Sequence, residues 1–394
     1  MPALITEPTA LFAFLAGLLG LIFWLSTLDP LKPFFERLPP VIWAYFVPMI
    51  ATTLGITPAA SPVYDWVARY LLPLSLFLLM LTVDVPAIIR LGPMALAMMA
   101  VGTLGIVIGG PVAYLLFGGF LPPDAWQGFA TLSGSWIGGT ANMVAIQQSV
   151  GAPDALLGPI IVVDTVVGYG WMGVLIFLSS FQERFDQRIG ARTSAIEAMN
   201  ARLAELDTER RIVTIPDLAM IVGLAFAATA LSVALGGRMP ALGDPTIISQ
   251  STWAILIAVT LGLLLSFTPM RRLERPGASR IGYLALYLLL TTIGAKADLA
   301  AVLEAPIYLL AGVVWIAIHI GLLFLAAKLL RAPLFFVATG SMANIGGAAS
   351  APVVAGVYHP AMAPVGLLMA VAGYILGIYA ALACAGILGW MAGG

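Results

Sequence analysis

The chain has 394 residues, of which 61% are hydrophobic and only 9% charged, whereas a soluble globular protein carries about 25% charged residues. This composition cannot cover a water-soluble surface, and apolar stretches long enough to cross a bilayer as helices recur from end to end. A formal net charge of −1, with arginines scattered among acids, excludes a nucleic-acid-binding footprint. The sequence also lacks the sustained apolar-polar alternation of a membrane β-barrel.

Hydropathy predicts six membrane segments, then a charged stretch, then six more segments. The first six lie near residues 8–28, 39–56, 66–83, 92–117, 126–149 and 155–181, and the second six near 215–237, 248–269, 279–297, 305–329, 332–357 and 361–391. Residues 182–213 hold six arginines and six acids, with apolar residues at helical spacing, which predicts an amphipathic connecting helix outside the bilayer. We therefore expect an all-α integral membrane protein of 10 to 12 transmembrane helices, with one repeat at 1–181, a linker at 182–213 and a second repeat at 214–394.

Two glycine-rich motifs, one in each half, resemble one another. Residues 133–142 read Ser-Gly-Ser-Trp-Ile-Gly-Gly-Thr-Ala-Asn, and residues 339–350 read Thr-Gly-Ser-Met-Ala-Asn-Ile-Gly-Gly-Ala-Ala-Ser. With a two-residue insertion, the glycines of the first motif fall on those of the second: Gly134, Gly138 and Gly139 on Gly340, Gly346 and Gly347. Further matches occur in the same order in the flanking segments, which indicates an internal duplication.

Positive charges fall in alternate loops of the two halves. The first half carries Lys32, Arg37 and Arg90, and the second half carries Arg271, Arg272, Arg275, Arg280, Lys328 and Arg331 in the alternate loops. By the positive-inside rule, this offset predicts oppositely oriented halves. Inversion requires an odd number of crossings per half, so one predicted segment should not span. We expect that segment within 8–56 or 215–250.

The glycines of each motif predict a local break in a membrane helix, because glycine inside a helix costs about 1 kcal/mol relative to alanine. Unwound backbone at membrane depth is tolerated where it lines a polar cavity, and paired broken helices are the best sequence pointer to a transporter's binding site. The predicted substrate- or ion-binding side chains beside the breaks are Ser133, Ser135, Thr140, Asn142, Gln147, Thr339, Ser341, Asn344 and Ser350. The alternative is that the small residues serve only helix packing, as in Gly-xxx-Gly contacts.

Asp164 lies midway through the predicted segment 155–181, with Thr165 beside it. An ionisable residue at this depth costs at least ~2.5 kcal/mol and is a functional candidate by default. It could bind sodium or carry a proton, and the alternative is an aspartate that serves helix packing. Its counterpart in the second half is Met369, so a coupling site would be asymmetric.

Sodium is the one metal ion that the residues suggest, with oxygen ligands from Asn142, Asp164 and Asn344. The histidines, His319 and His359, have no cluster of further ligands beside them, so we expect neither a metal centre nor another cofactor. Four charged residues lie at the ends of predicted spans, where helix caps and interface anchors account for such residues: Asp84, Lys296, Asp298 and Glu304.

The paired motifs, with Gly-Pro-Ile-Ile-Val-Val-Asp-Thr-Val-Val-Gly-Tyr at 158–169, resemble those of the bacterial DUF819 or YjcL-like membrane proteins. That family is grouped with cation:proton antiporters, anion transporters and bile-acid sodium symporter-like proteins. The resemblance implies residence in the cytoplasmic (inner) membrane, inverted repeats, two broken helices crossing near the midplane, a core domain that moves against a scaffold domain, and a homodimer. Members of the wider group bind sodium or protons at positions that match Asn142, Gln147, Ser341, Asn344 and Ser350.

Three functions remain open from the sequence. The leading hypothesis is a sodium- or proton-coupled carrier of a small polar or anionic organic solute, because helix N-termini favour anions and nearby oxygens can hold a cation. The second is a cation:proton antiporter with Asp164 as the exchanging carboxylate. The third is an intramembrane enzyme that uses Ser133 or Ser135 with His319 as base. We expect a carrier rather than an enzyme, because the Gly-Ser motif is duplicated and neither histidine has a counterpart.

Overall fold

A computed structural model describes residues 3–38, 40–192, 213–243, 248–296, 305–359 and 362–393. The regular structure of these residues is helical, apart from one isolated bridge between Leu242 and Ile248. The first half contains α1 (Pro8–Thr27), α2 (Lys32–Arg37), α3 (Pro40–Thr53), α4 (Pro62–Leu81), α5 (Val85–Arg90), α6 (Pro93–Phe117), α7 (Ala125–Val150), α8 (Leu157–Leu178) and α9 (Gln182–Ile189). The remainder of the predicted amphipathic linker, 193–212, lies outside the described residues.

The second half contains α10 (Ile215–Gly236), α11 (Gln250–Ser266), α12 (Ala278–Lys296), α13 (Ala305–Leu330), α14 (Leu334–Ile345), α15 (Gly347–Tyr358) and α16 (Ala363–Gly393). Within the described ranges, eight helices are long and apolar enough to cross a membrane. The chain is therefore a multi-pass α-helical membrane protein, as its composition predicts.

The helices pack into two groups, and each group takes helices from both halves of the chain. The scaffold group comprises α1, α3, α4, α10, α11 and α12, with α4 packed on both α11 and α12. The core group comprises α6, α7, α8 and α13 to α16, with α6 packed on α13 and α7 on α16. Glycines permit the closest approaches: a methyl group added at Gly294 would collide with the Tyr45 carbonyl, and one at Gly109 with the Trp315 ring.

Helix α7 is a hairpin rather than a broken span. The Gln127 side-chain nitrogen donates to the Val150 carbonyl at 2.8 Å, although 23 residues of straight helix would separate these positions by about 35 Å. A methyl group added at Gly134 would lie 2.8 Å from the Asn142 carbonyl oxygen, across the two arms. The chain reverses at Gly138 and Gly139, the residues inside α7 with non-helical backbone angles.

Helices α14 and α15 form the corresponding hairpin of the second half. The rings of Phe335 and His359, near its two open ends, have centroids 5.4 Å apart. The chain reverses at Gly346 and Gly347, between the last residue of α14 and the second residue of α15. Both predicted breaks are thus present, and the prediction of two crossing broken helices is wrong in form, because each break is the tip of a re-entrant hairpin.

The two hairpins enter from opposite ends of the core group. The first opens beside the start of α8, where the Ala152 amide donates to the Gln147 carbonyl at 3.0 Å. The second opens beside the other end of α8, where the Tyr358 hydroxyl donates to the Leu175 carbonyl at 2.8 Å. Because α8 has 22 residues, these ends are about 33 Å apart. The hairpins occupy segments 126–149 and 332–357, one in each half, whereas the sequence led us to expect the non-spanning segment within 8–56 or 215–250.

Several loop arginines of the two halves lie at one end of the molecule. Asp84 pairs with Arg271, and the Arg192 amide donates to the Arg331 carbonyl at 2.8 Å. Helices α6 and α13 are antiparallel, since Gly102 faces His319 and Gly109 faces Trp315, which brings the start of α6 to the end of α13. The positive-inside rule predicts that this arginine-rich end faces the cytoplasm.

Candidate functional site

The two hairpin tips meet inside the core group. Gly139 and Gly347 have φ angles of 73° and 58°, which glycine adopts without the steric penalty of a side chain. A methyl group added at Gly347 would lie 3.9 Å from the Gly139 Cα atom. Tyr374 of α16 lies against both tips: its ring would be 3.4 Å from a methyl at Gly139, and its hydroxyl accepts from the Ala348 amide at 3.4 Å.

A cavity of about 290 Å³, which we name the tip cavity, lies beside this meeting point and between the two helix groups. Its polar wall comes from the core group and consists of Ser135, Thr140, Asp164, Thr165, Tyr169 and Ser350, with Gly139 and Gly346 from the two tips. Its opposite wall comes from the scaffold group and consists of Phe23, Pro40, Ile42 and Tyr287. The tip cavity therefore joins both hairpins to both helix groups.

Asp164 is the charged side chain of the tip cavity among the described residues that line it. Its carboxylate is approached by the Ser135 hydroxyl and the Trp136 indole N–H. The Trp136 indole N–H is buried, and no acceptor lies within normal hydrogen-bond geometry of it among the described residues. Tyr169, five residues further along α8, lies within reach of the Ser350 hydroxyl of the second hairpin.

Five predicted binding residues, Ser135, Thr140, Asp164, Thr165 and Ser350, line the tip cavity, and the other first-half candidates do not. The Ser133 hydroxyl donates to the Ala130 carbonyl at 2.6 Å, and the Gln147 amide donates to Asp154 at 2.8 Å. The Asn142 amide lies 3.4 Å from the Tyr374 carbonyl, where α7 and α16 pack closely. These three side chains hold the first hairpin to itself and to its neighbours.

The second-half candidates Ser341, Asn344 and Thr339 are buried and do not line the tip cavity. Asn344 accepts from the Thr103 hydroxyl at 2.9 Å and donates to the Gly340 carbonyl at 2.9 Å. Its hydrogen-bonding groups are occupied by helix α6 and by its own helix.

Ser341 belongs to a buried chain of polar side chains. Its hydroxyl oxygen accepts from the Trp171 indole at 2.8 Å and lies 2.8 Å from His319 Nε2. The other ring nitrogen of His319 lies 2.9 Å from the Gly102 carbonyl, so it must be the protonated nitrogen, and the Ser341 hydroxyl then donates to Nε2. Both nitrogens of His319 are therefore engaged away from Ser133 and Ser135, the serines that the enzyme hypothesis pairs with it.

The charged residues at span ends form ion pairs where the structure describes them. Lys296 of the scaffold group pairs with Asp154, next to α8 of the core group, at 2.8 Å. Asp298 and Glu304 lie outside the described residues. Within the described parts of the chain, no group of three or more His, Cys, Asp or Glu side chains is placed to hold a metal ion.

Sequence reasoning missed the aromatic wall of the tip cavity. Phe23 and Tyr287 come from helices without glycine-rich motifs, and their ring centroids are 5.0 Å apart. Tyr169 carried a usable signal, because it falls on Tyr374 at the same offset that places Asp164 on Met369. No local pattern marks Phe23, since its role depends on α1 packing beside α12.

Two opposed hairpins that meet at a polar cavity inside a helical bundle define a multi-pass membrane protein with a solute-sized internal site. The chain belongs to the family described as "Protein of unknown function (DUF819)", whose model matches residues 13–391. It is also similar to the "Uncharacterized membrane protein YjcL" of Bacillus subtilis (strain 168), with 27% identity over 344 residues that cover 84% of this chain and 85% of the relative.

Proposed function

We propose that the protein is a secondary active transporter that binds a small polar solute and a coupling cation in the tip cavity. The observation that carries this proposal is the meeting of two hairpin tips, entering from opposite ends, at a cavity shared by both helix groups. Non-helical backbone at membrane depth is tolerated where it is buried in protein or lines a cavity. Pointing the two hairpins at one cavity offers a route to it from each side of the membrane.

An elevator-like movement of the core group against the scaffold group would expose the cavity alternately. The polar contacts between the facing surfaces are scattered. Among the described residues they include the Tyr283 and Tyr374 hydroxyls at 3.2 Å, the Thr260 and Tyr379 hydroxyls at 3.0 Å, the Thr252 hydroxyl and Ser149 carbonyl at 3.4 Å, and the Lys296–Asp154 pair at 2.8 Å. The core group carries the polar wall and both tips, so its movement would carry the bound solute with it.

Asp164 is the best candidate for the coupling site, with sodium or a proton as the ion. Sodium prefers oxygen ligands, and the hydroxyls of Ser135, Thr140 and Ser350 line the same cavity. This assignment replaces the predicted sodium ligands Asn142 and Asn344, whose amides are engaged within the protein.

A cation:proton antiporter is the second candidate. The specific observation in its favour is that a single carboxylate lines the described part of the tip cavity. The single negative charge of one carboxylate can neutralise either a proton or another monovalent cation, but not both at once. The two ions would therefore compete for this carboxylate, as exchange requires. The serine-enzyme hypothesis has no comparable support, because His319 is saturated by Gly102 and Ser341. The homodimer and the inner-membrane location stay predictions.

The test uses proteoliposomes that contain an internal pH-sensitive dye and are given sodium or proton gradients. We expect gradient-dependent ion or solute movement with the wild type, and its loss in Asp164→Asn, which keeps the shape of the side chain. Asp65→Asn is the matched control, because Asp65 is an exposed carboxylate in the first turn of α4. Absence of gradient-coupled movement with every ion and solute tried, in protein that remains folded, would refute the proposal.

A further inference from the structure

The charge of the tip cavity is decided by one side chain. Each hairpin tip brings a helix C-terminus and a helix N-terminus together: α14 ends at Ile345, and α15 begins at Gly347. The half-charges of helix ends, about −0.5 and +0.5, therefore largely cancel within each tip. No lysine, arginine or histidine is found among the described residues that line the cavity. The negative charge of Asp164 is left unbalanced.

A backbone donor at the second tip is already used within the protein. An anionic solute would need free N–H groups at the start of a half-helix. At the second tip, the Ala348 amide already donates to the Tyr374 hydroxyl, and that hydroxyl is also 3.2 Å from the Tyr283 hydroxyl. Neither a cationic side chain nor this amide is therefore available in the described part of the cavity to bind the anionic solute that the sequence led us to expect.

The wall opposite Asp164 suits a cation that carries carbon. Phe23 and Tyr287 line it from the scaffold group, with ring centroids 5.0 Å apart, and Tyr169 contributes a further ring from the polar wall. Aromatic faces attract ammonium groups through the ring quadrupole, most strongly where water is excluded. A bare inorganic ion would use the hydroxyls and leave this wall, and most of the 290 Å³ volume, without a role.

We infer that the solute of the proposed transporter is a small organic cation, an amine or quaternary ammonium compound, held between the Asp164 carboxylate and the aromatic wall of Phe23 and Tyr287. The inference rests on the proposed function and specifies its substrate class. The hydroxyls of Ser135, Thr140 and Ser350 would hydrogen-bond a polar group on the same solute.

Matched probes test the charge requirement directly. Choline, its neutral carbon isostere 3,3-dimethylbutan-1-ol and the anion 3,3-dimethylbutanoate have similar bulk and differ in charge. Binding of each to purified protein is measured by thermal shift and by calorimetry. We expect choline, or tetramethylammonium in its place, to bind at least about tenfold more tightly than the neutral isostere, and the anion not to bind.

Two variants test whether a preference for the cationic probe arises in the tip cavity. In Asp164→Asn the affinity for the cationic probe should fall about thirtyfold or more, since removal of one partner of a buried charge pair has effects of that size. In Phe23→Leu the cation should weaken and the neutral isostere should change little, because leucine preserves apolar bulk and removes the ring. Asp65→Asn should behave as the wild type.

The outcomes separate this inference from the proposed function. Equal binding of the cation and its isostere, tighter binding of the anion, or no binding of any cationic probe would overturn the inference. Such a result would leave the transporter proposal standing if the proteoliposomes still show ion movement that depends on Asp164. Cation binding without any gradient-coupled movement would support the cation site and refute transport.

Discussion

The hairpin form of α7 can be tested by joining its two ends. Cysteines at Gln127 and Val150, in protein whose buried Cys384 is replaced by alanine, should cross-link through a short bismaleimide. The native contact between these residues is 2.8 Å, and in a straight helix they would be about 35 Å apart. Cross-linking is read by mass spectrometry of the proteolytic fragments. Val150→Cys with Arg192→Cys is the control pair, because those positions lie beyond opposite ends of α8.

The same cysteines report the side of the membrane. In a hairpin, a membrane-impermeant maleimide labels Gln127→Cys and Val150→Cys from one side of oriented vesicles, whereas in a spanning helix it labels them from opposite sides. Labelling from opposite sides, together with failure of the 127–150 pair to cross-link, would show that segment 126–149 crosses the membrane and would refute the opposed-hairpin arrangement.

Three further changes probe the tip, the polar packing and the contact between the groups. Gly139→Ala should destabilise the protein by about 1–3 kcal/mol, since its φ of 73° and ψ of −173° form a region essentially restricted to glycine. The control Gly173→Ala, in open space on α8, should be neutral or stabilising. If thermal unfolding in detergent ranks the two variants the other way, the tip geometry is contradicted. Asn344→Ala should cost about 1–3 kcal/mol by leaving buried polar groups unpaired, and an unchanged unfolding temperature with lost ion binding would instead support Asn344 as a ligand. Lys296→Ala should alter the initial transport rate, because the pair with Asp154 joins the two helix groups. A protein in which Lys296 and Asp154 are exchanged should regain the wild-type rate. Equal rates in the wild type, Lys296→Ala and the exchanged protein would show that the pair does not change during transport.

The sequence predicts where the membrane helices break because the cause is local. Gly139 and Gly347 need positive φ angles, and such positions favour glycine wherever they occur. The form of the break is not local. Two arms of about 12 residues that each enter halfway contain as many apolar residues as one helix that crosses. Hydropathy over 126–149 therefore reads the same for a hairpin and a span, and only contacts such as Gln127 with Val150 separate them.

The sequence predicts which types of side chain form the site, but it predicts less well which of them face the cavity. Ser135, Thr140 and Ser350 reach the tip cavity, whereas Asn142 and Asn344 in the same motifs bond to Tyr374 and Thr103 of neighbouring helices. Within one turn of helix, a polar side chain faces a cavity or a packed neighbour according to which helix lies beside it. That neighbour comes from the other half of the chain, where no local pattern records it.

The two hairpin tips are similar, but one charged side chain lines the described part of the cavity beside them. Asp164 lines the tip cavity, while its counterpart Met369 is fully buried and would lie 3.4 Å from a methyl group at Gly340. Tyr169 likewise lines the cavity, while its counterpart Tyr374 fills the space between the tips. The first half thus supplies the carboxylate of the cavity, while the second half contributes Ser350 and Tyr287 to its lining and Tyr374 to the packing of both tips. On the proposed function, the one carboxylate that lines the described part of the cavity offers a single counter-charge. We therefore expect a cationic solute and a proton to bind there alternately rather than together.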